Sequence, residues 1–343
     1  MEPVKIGLVG YGFGGRYFHA PLISSAAECD FVGIVTTSAE RRALVESEHP
    51  GLRTFDSVED IAAAGAEAVS ISTPAGTHSE LTDDAIASGL SVVCDKPFAL
   101  DPAAARRSVD LAAAHEVTVT PYQNRRWDSD FLTVRALVDD GTLGEVRRFE
   151  SRFERYAPEN GPGASGGGTL LDFGAHLVDQ ALELLGPVES VYAESRTRES
   201  GLDDDVFMAL RHTNRAVSHL WGSWSQYAAG PRFRVTGSAA SLILTTGDTQ
   251  EDRLVAGTSP ATSDAWGVEA ASDLDQLITK EGSAPVGLAR GEWDTFYPTF
   301  ARAVRSEGPP PVDAADAVAT ADVLEAARIS TATRTTVRPG AAS

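Results

Sequence analysis

The feature that most constrains this chain is a glycine-rich turn set directly behind an apolar strand. The run Val4–Val9 passes straight into Gly10-Tyr11-Gly12-Phe13-Gly14-Gly15, a G-x-G-x-x-G pattern with its glycines at Gly10, Gly12 and Gly15. In such a turn the first glycine permits the tight bend and the second lets the backbone approach a pyrophosphate. The third allows close packing of a helix whose N-terminus favours anions. The motif has weight here because its surroundings repeat. From residue 4 to about 121, short apolar runs alternate with helical stretches, as in a parallel sheet covered by helices. Six strands are expected: Val4–Val9, Phe31–Val35, one near Arg53–Phe55, Ala68–Ser72, Ser91–Cys94 and Val117–Thr120. Asp101-Pro102 ahead of the alanine-rich stretch Ala103–Ala114 reads as a helix start with proline at the first helical position.

After Pro121 the rhythm changes. A helix over Ser129–Asp139, a strand over Val146–Phe153, a glycine loop at Gly161–Gly168 and a helix from Asp172 precede five strands. Those are Val188–Ser195, Val206–Arg211, Ala216–Trp224, Phe233–Thr236 and Leu242–Thr245, with helices near Glu292–Arg305 and Asp313–Ile329 closing the chain. Consecutive strands at this spacing predict a mainly antiparallel sheet with helices on one face. The fold class is therefore α/β: an N-terminal Rossmann doubly wound parallel sheet over 1–121, then an α+β domain with a mainly antiparallel open sheet over 122–343. At 343 residues two domains are expected. Trp221 and Trp224 suggest that the open face buries against a second subunit, giving a homodimer or homotetramer.

The net charge of −20 excludes nucleic acid as a partner, since no basic stripe can displace counterions. No apolar run approaches the ~18 residues of a membrane span, and no export signal opens the sequence. The two cysteines, Cys29 and Cys94, fall in or beside apolar segments and read as reduced thiols. A cytoplasmic protein is expected.

The end of the second strand bears on the choice of nicotinamide cofactor. A carboxylate there would bind the ribose 2′-hydroxyl of NAD, but the chain offers Thr36, Thr37 and Ser38, followed by Arg41 and Arg42. Hydroxyls and guanidinium groups suit a 2′-phosphate, so NADP is expected, with NAD possible. Ligands of parallel sheets collect at the carboxyl ends of the strands, where Thr73, Pro74 and His78 follow the fourth strand and Asp95 and Lys96 follow the fifth. His78 is expected either to pack at the start of the next helix or to sit against the cofactor. Lys96 is one of only three lysines beside 26 arginines. Unlike arginine, lysine can shift its pKa and move a proton. Farther on, Asp172 and His176 are four apart and share a helix face; a carboxylate beside an imidazole suits acid–base work, and a capping aspartate with a buried histidine is the other reading. Asp179 lies on that face too, but a metal site is not expected.

Together these residues resemble the glucose–fructose oxidoreductase, inositol dehydrogenase and rhizopine catabolism (Gfo/Idh/MocA) family over nearly the whole chain. The resemblance rests on Gly10–Gly15, on Thr73-Pro74 with Thr77-His78, on Asp95-Lys96-Pro97 and on Asp172-x-Gly174-x-His176. Asp95 stands where the family usually has glutamate. The resemblance implies that Lys96, Asp172 and His176 serve the substrate hydroxyl that is oxidised. Tyr11–Gly15 with His19-Ala20-Pro21-Leu22-Ile23, and the run Gln123–Phe131, are similar to the family's NADP-dependent scyllo-inositol dehydrogenase branch. Asn124, Arg125, Tyr156 and Asp179 are the candidate contacts to such a polyol. An aldose or keto-sugar enzyme and a cofactor-sensing regulator without a reaction are the alternatives.

Overall fold

A computed structural model describes residues 2–161, 163 and 167–340. In chain order its first elements are β1 (Val4–Val9), α1 (Ala20–Ser25), β2 (Cys29–Val35), α2 (Ala39–Glu48), β3 (Thr54–Phe55) and α3 (Val58–Ala63). Then come β4 (Ala68–Ile71), α4 (His78–Ala87), β5 (Ser91–Cys94), α5 (Pro102–Ala114), β6 (Val119–Pro121), α6 (Ser129–Asp139), β7 (Val146–Glu154) and α7 (Thr169–Leu185). The remainder is β8 (Val188–Thr197), β9 (Asp203–His212), β10 (Val217–Ser223), β11 (Phe233–Gly237), β12 (Ser241–Leu244), α8 (Gln250–Val255), β13 (Gln276–Thr279), β14 (Gly282–Pro285), α9 (Phe296–Val304) and α10 (Ala314–Thr333). They form two compact units. One holds the chain up to Asn124 with Gln250–Trp266 and Glu292–Val318; the other holds Arg125–Thr249, Gly267–Gly291 and the chain from Ala319.

The first unit is built on a six-stranded sheet of order β3-β2-β1-β4-β5-β6, parallel at every pairing. The order reverses between β1 and β4, and that switch point opens a crevice at the strands' carboxyl ends. β1, β4 and β5 are almost wholly buried, as strands covered on both faces must be. The helix over 102–114 starts as its sequence predicts: Pro102 sits in the first turn, and the Asp101 carboxylate accepts the Ala104 N–H at 2.8 Å. Helix α9 belongs to this unit, although its place late in the sequence suggested that it closes the other. Its Phe296 and Tyr297 rings pack against Tyr122, with centroids 4.7 and 6.2 Å away.

The second unit carries an eight-stranded sheet of order β14-β13-β12-β11-β7-β10-β9-β8. All its pairings are antiparallel except β7 with β10. Strands β13 and β14 and the short helix α8 were not anticipated from the sequence. The core lies between the sheet and α7, where Phe149, Phe173, Leu177, Met208, Leu220 and Phe233 are buried together. Each such side chain contributes roughly 1.5–3 kcal/mol on leaving water. Along β10 burial alternates, with Ser218, Leu220 and Gly222 turned inward and His219 and Trp221 half-buried. On that second face Trp221 contacts Phe207 at 5.2 Å. Trp224 does not share it. Three residues on, in an extended chain of period two, it stacks instead on Phe173 of α7 at 4.7 Å.

Candidate active site

The glycine turn has the geometry its residue types demand. Gly10 lies at φ +96°, and a Cβ there would stand 2.4 Å from the Ser72 carbonyl oxygen. At Gly15 a Cβ would stand 2.2 Å from the Gly10 carbonyl oxygen, so the helix can approach the strand only without a side chain. At Gly12 a Cβ would meet nothing within 4 Å. The backbone there is bare and faces open space, as a pyrophosphate cradle requires. A wide turn over Gly15–His19 then leads into α1. Tyr11 is buried and donates its hydroxyl to Glu48 at 2.7 Å, so it faces α2 and leaves its backbone to the turn. Phe13 is 59% exposed, with its ring 5.1 Å from Tyr17 and 5.3 Å from Phe18.

At the end of β2, Thr36 is buried and Thr37 exposed. The Ser38 hydroxyl caps α2 by accepting the Arg41 N–H at 3.3 Å. Arg42 is held along β3, donating to the Thr54 hydroxyl at 3.2 Å, the Phe55 carbonyl at 3.3 Å and Asp56 at 2.6 Å. Arg41 is exposed on the first turn of α2. No carboxylate occupies Thr36–Ser38.

The loops after β4 and β5 are tied to each other. His78 is 1% exposed, and its ring nitrogens lie 2.8 Å from the Pro97 and Thr73 carbonyl oxygens. Two acceptors ask for two N–H donors. Burial opposes the charge, but Cys94, Asp95 and the Pro97 carbonyl outweigh it and raise the imidazole pKa to about 10. The ring thereby braces the two loops. Thr73 and Thr77 share a hydroxyl hydrogen bond at 2.7 Å. Lys96 is half-buried, its peptide to Pro97 is cis, and its backbone N–H donates to Asp95 Oδ1 at 2.8 Å. Asp95 Oδ2 accepts the Ser72 hydroxyl at 3.0 Å.

In the second unit α7 carries Asp172, half-buried, and His176, 5% exposed, on one face. The helix begins at Thr169, three residues ahead of the sequence expectation, because Asp203 caps it. Its carboxylate accepts the Leu170 N–H at 2.6 Å, and its carbonyl accepts the Thr169 hydroxyl at 2.8 Å. Within the expected glycine loop, Pro162 and residues 164–166 lie outside the described residues. Asp179 is 2% exposed and takes two hydrogen bonds from Arg126, at 2.8 and 2.7 Å. Its carboxylate is thus paired with a guanidinium. Arg125 lies over the Phe153 ring at 4.6 Å and donates to Asp128 at 3.2 Å. Tyr156 is 45% exposed and stacks on Tyr227 at 3.4 Å. Asn124 is buried at the end of the first unit.

Two groups of functional interest escaped the sequence reading. One is the cluster of His19, Ser70 and Tyr297 behind Asp95. The other is the buried set Asp128, Asp130 and Arg232, in which burial pushes Asp130 up to about 6. Acidic residues spaced two apart in Asp128-x-Asp130 were the only available signal for the second group. Among the described residues no helix is long and apolar enough to cross a membrane, and no three His, Cys, Asp or Glu side chains group as metal ligands.

A parallel sheet of this strand order with this glycine turn defines a dinucleotide-binding module of the Rossmann class. A family model described as an oxidoreductase family with an NAD-binding Rossmann fold matches residues 4–123, and the GFO/IDH/MocA C-terminal domain matches 131–243. The chain belongs to the GFO/IDH/MocA family, as an NAD(P)-dependent oxidoreductase. It is similar to the Bacillus subtilis scyllo-inositol 2-dehydrogenase (NADP+) IolW, at 30% identity over 98% of this chain and 96% of that one. It is also similar to the uncharacterised Escherichia coli oxidoreductase YdgJ, at 31% identity over 94% and 95% of the two chains. Among solved structures, one described as the Bacillus subtilis oxidoreductase yvaA matches with a TM-score of 0.92 and 30% identity, covering 98% of each chain.

Proposed function

We propose that this protein is an NADP-dependent dehydrogenase that moves hydride between the cofactor and a secondary alcohol or ketone of a cyclic polyol, an inositol. The observation that carries the cofactor assignment is the end of β2, where Thr36, Thr37 and Ser38 replace a carboxylate and Arg41 stands exposed one turn into α2. The polyol assignment leans on the similarity to the Bacillus subtilis scyllo-inositol enzyme. When bound, NADP supplies the hydride acceptor. Gly10–Gly15 would hold its pyrophosphate, and Thr73-Pro74 would border its nicotinamide end.

In this reading His176 takes the hydroxyl proton, with Asp172 on the same helix face orienting the ring and favouring its charged form. Lys96 stabilises the developing alkoxide with its ammonium. Asn124, Arg125 and Tyr156 supply donors and acceptors to the polyol, while Asp179 acts indirectly through Arg126. We further propose a homodimer or larger homo-oligomer formed through the β9–β10 face carrying Phe207, His219 and Trp221.

The test is a panel of inositols and aldoses assayed with NADP and NAD, followed at the reduced nicotinamide absorbance band. Turnover of an inositol with NADP is expected. Activity confined to aldoses or to NAD overturns the corresponding half, and near-native turnover in Lys96→Ala or His176→Ala overturns the catalytic assignment.

A further inference from the structure

Behind the Asp95-Lys96 loop lies a closed polar cluster in an otherwise apolar interior. His19, Ser70 and Tyr297 are each wholly buried. His19 Nε2 faces Asp95 Oδ2 at 3.4 Å, while its Nδ1 lies 2.6 Å from the Tyr297 hydroxyl and 2.9 Å from the Ser70 hydroxyl. The two hydroxyls are 2.9 Å apart. The Tyr122 ring covers the imidazole with centroids 4.2 Å apart. A carboxylate can only accept, so Nε2 carries the hydrogen and Nδ1 is left as an acceptor with a single lone pair. Tyr297 donates to it at the shorter distance, and Ser70 donates to the Tyr297 oxygen. Every hydrogen in the cluster then has one place to go, and the orientation of the ring is determined.

The other end of the cluster is the site. Asp95 uses Oδ1 to fix the Lys96 backbone N–H and Oδ2 to receive Ser72 and His19. Against the same carboxylate lies the glycine turn: a Cβ at Gly14 would stand 2.6 Å from Ser72 Oγ and 3.1 Å from Asp95 Oδ2. We infer that His19 is a positioning residue for Lys96, acting through Asp95 and itself oriented by Tyr297. The inference rests on the catalytic reading of Lys96 given above. Burial opposes ionisation of Asp95, but the hydrogen bond donated by His19, with the charges of Lys96 and His78, holds its carboxyl well below the usual range.

The test uses His19→Leu, His19→Gln and Tyr297→Phe. Glutamine can donate to Asp95 and accept from Tyr297, leucine can do neither, and Y297F removes one hydroxyl while keeping the ring. Misplacing a reacting group by about 1 Å costs on the order of 100-fold in rate, so H19L should lose roughly 10- to 100-fold in kcat. Its Kd for NADPH, read by fluorescence, should stay within about threefold, and H19Q should recover most of the loss. Turnover within about twofold of wild type in H19L, no recovery in H19Q, or loss of NADPH affinity in step with kcat would overturn the inference. If H19L does not fold, native kcat in Y297F overturns it. Run beside these, an inactive K96M with a native H19L defeats this inference alone, whereas a native K96M defeats the Lys96 reading and this one together. Without substrate, imidazole nitrogen shifts should show His19 with its hydrogen on Nε2, perturbed in D95N and Y297F; the opposite tautomer is the adverse result.

Discussion

The Asp203 carboxylate accepts the backbone N–H of Leu170 at 2.6 Å across 33 residues of sequence, and so caps the helix that carries Asp172 and His176. A negative side chain at a helix N-terminus satisfies a donor that has no partner within the helix and complements the dipole. Replacing Asp203 by alanine should cost about 1–2 kcal/mol of stability and lower kcat through loosening of the first turn. Asp203→Asn should retain most of both, because its amide oxygen can still accept. Chemical denaturation paired with steady-state kinetics checks this, and a D203A protein of unchanged stability would count against the cap.

The contrast between Gly12 and Gly15 separates binding from folding. Gly12→Ala should melt at the wild-type temperature without nucleotide, since its Cβ would meet nothing within 4 Å, yet bind NADPH weakly because the methyl fills the pyrophosphate cradle. Gly15→Ala should be destabilised by a few kcal/mol, with its Cβ 2.2 Å from a carbonyl oxygen. Melting with and without NADPH distinguishes the two variants, and equal melting temperatures for both apoproteins would refute the assignment.

Cofactor choice should turn on Arg41. A charge-assisted contact to a 2′-phosphate is worth ~1.5–3 kcal/mol, so Arg41→Ala should raise the KM for NADP by about tenfold or more and leave that for NAD nearly unchanged. Arg42 is a poorer probe because its ties to β3 also support the fold. Equal effects of R41A on both cofactors would remove Arg41 from the recognition site.

Asp130 gives a pH signature. Burial, first, raises its pKa to about 6 against an ordinary 3.8, with Arg232 opposing and Asp248 reinforcing the rise. A raised carboxyl pKa means that the folded state binds a proton the unfolded state has released. Stability from this group therefore falls as pH climbs from about 4 to 6 and is level above. Asp130→Asn, which stays neutral, should gain relative to wild type across that window and hold a constant advantage at higher pH. Unfolding free energies of the two proteins at pH 4, 5, 6 and 7 measure the difference, and a gap that does not widen with pH would contradict the burial effect.

Trp221 tests assembly. Trp221→Glu should convert the proposed oligomer to monomer in light scattering, and a wild-type protein that is monomeric at micromolar concentration would rule the interface out.

Much of the first unit was legible because its signals are local. A strand, a glycine turn and a helix within some 25 residues specify each other, and a proline after a capping aspartate marks a helix start. For the same reason Lys96, Asp172 and His176 could be singled out from neighbouring residues alone. What the chain order could not convey is which distant segments return. Tyr297 reaches His19 from 278 residues away, Asp203 caps α7 from 33 residues beyond Leu170, and α9 joins the first unit after the chain has built most of the second. By itself the sequence determined the kinds of element, the nucleotide turn and the residue types available for chemistry, because these depend on backbone preferences and side-chain periodicity over a few turns. Tertiary structure alone decided that Asp179 is spent on Arg126, that His78 braces two loops and that Asp95 is held from behind by a histidine. Those outcomes depend on which polar groups are stranded together when apolar surface leaves water, and a buried donor or acceptor must then take whatever partner folding brings within reach.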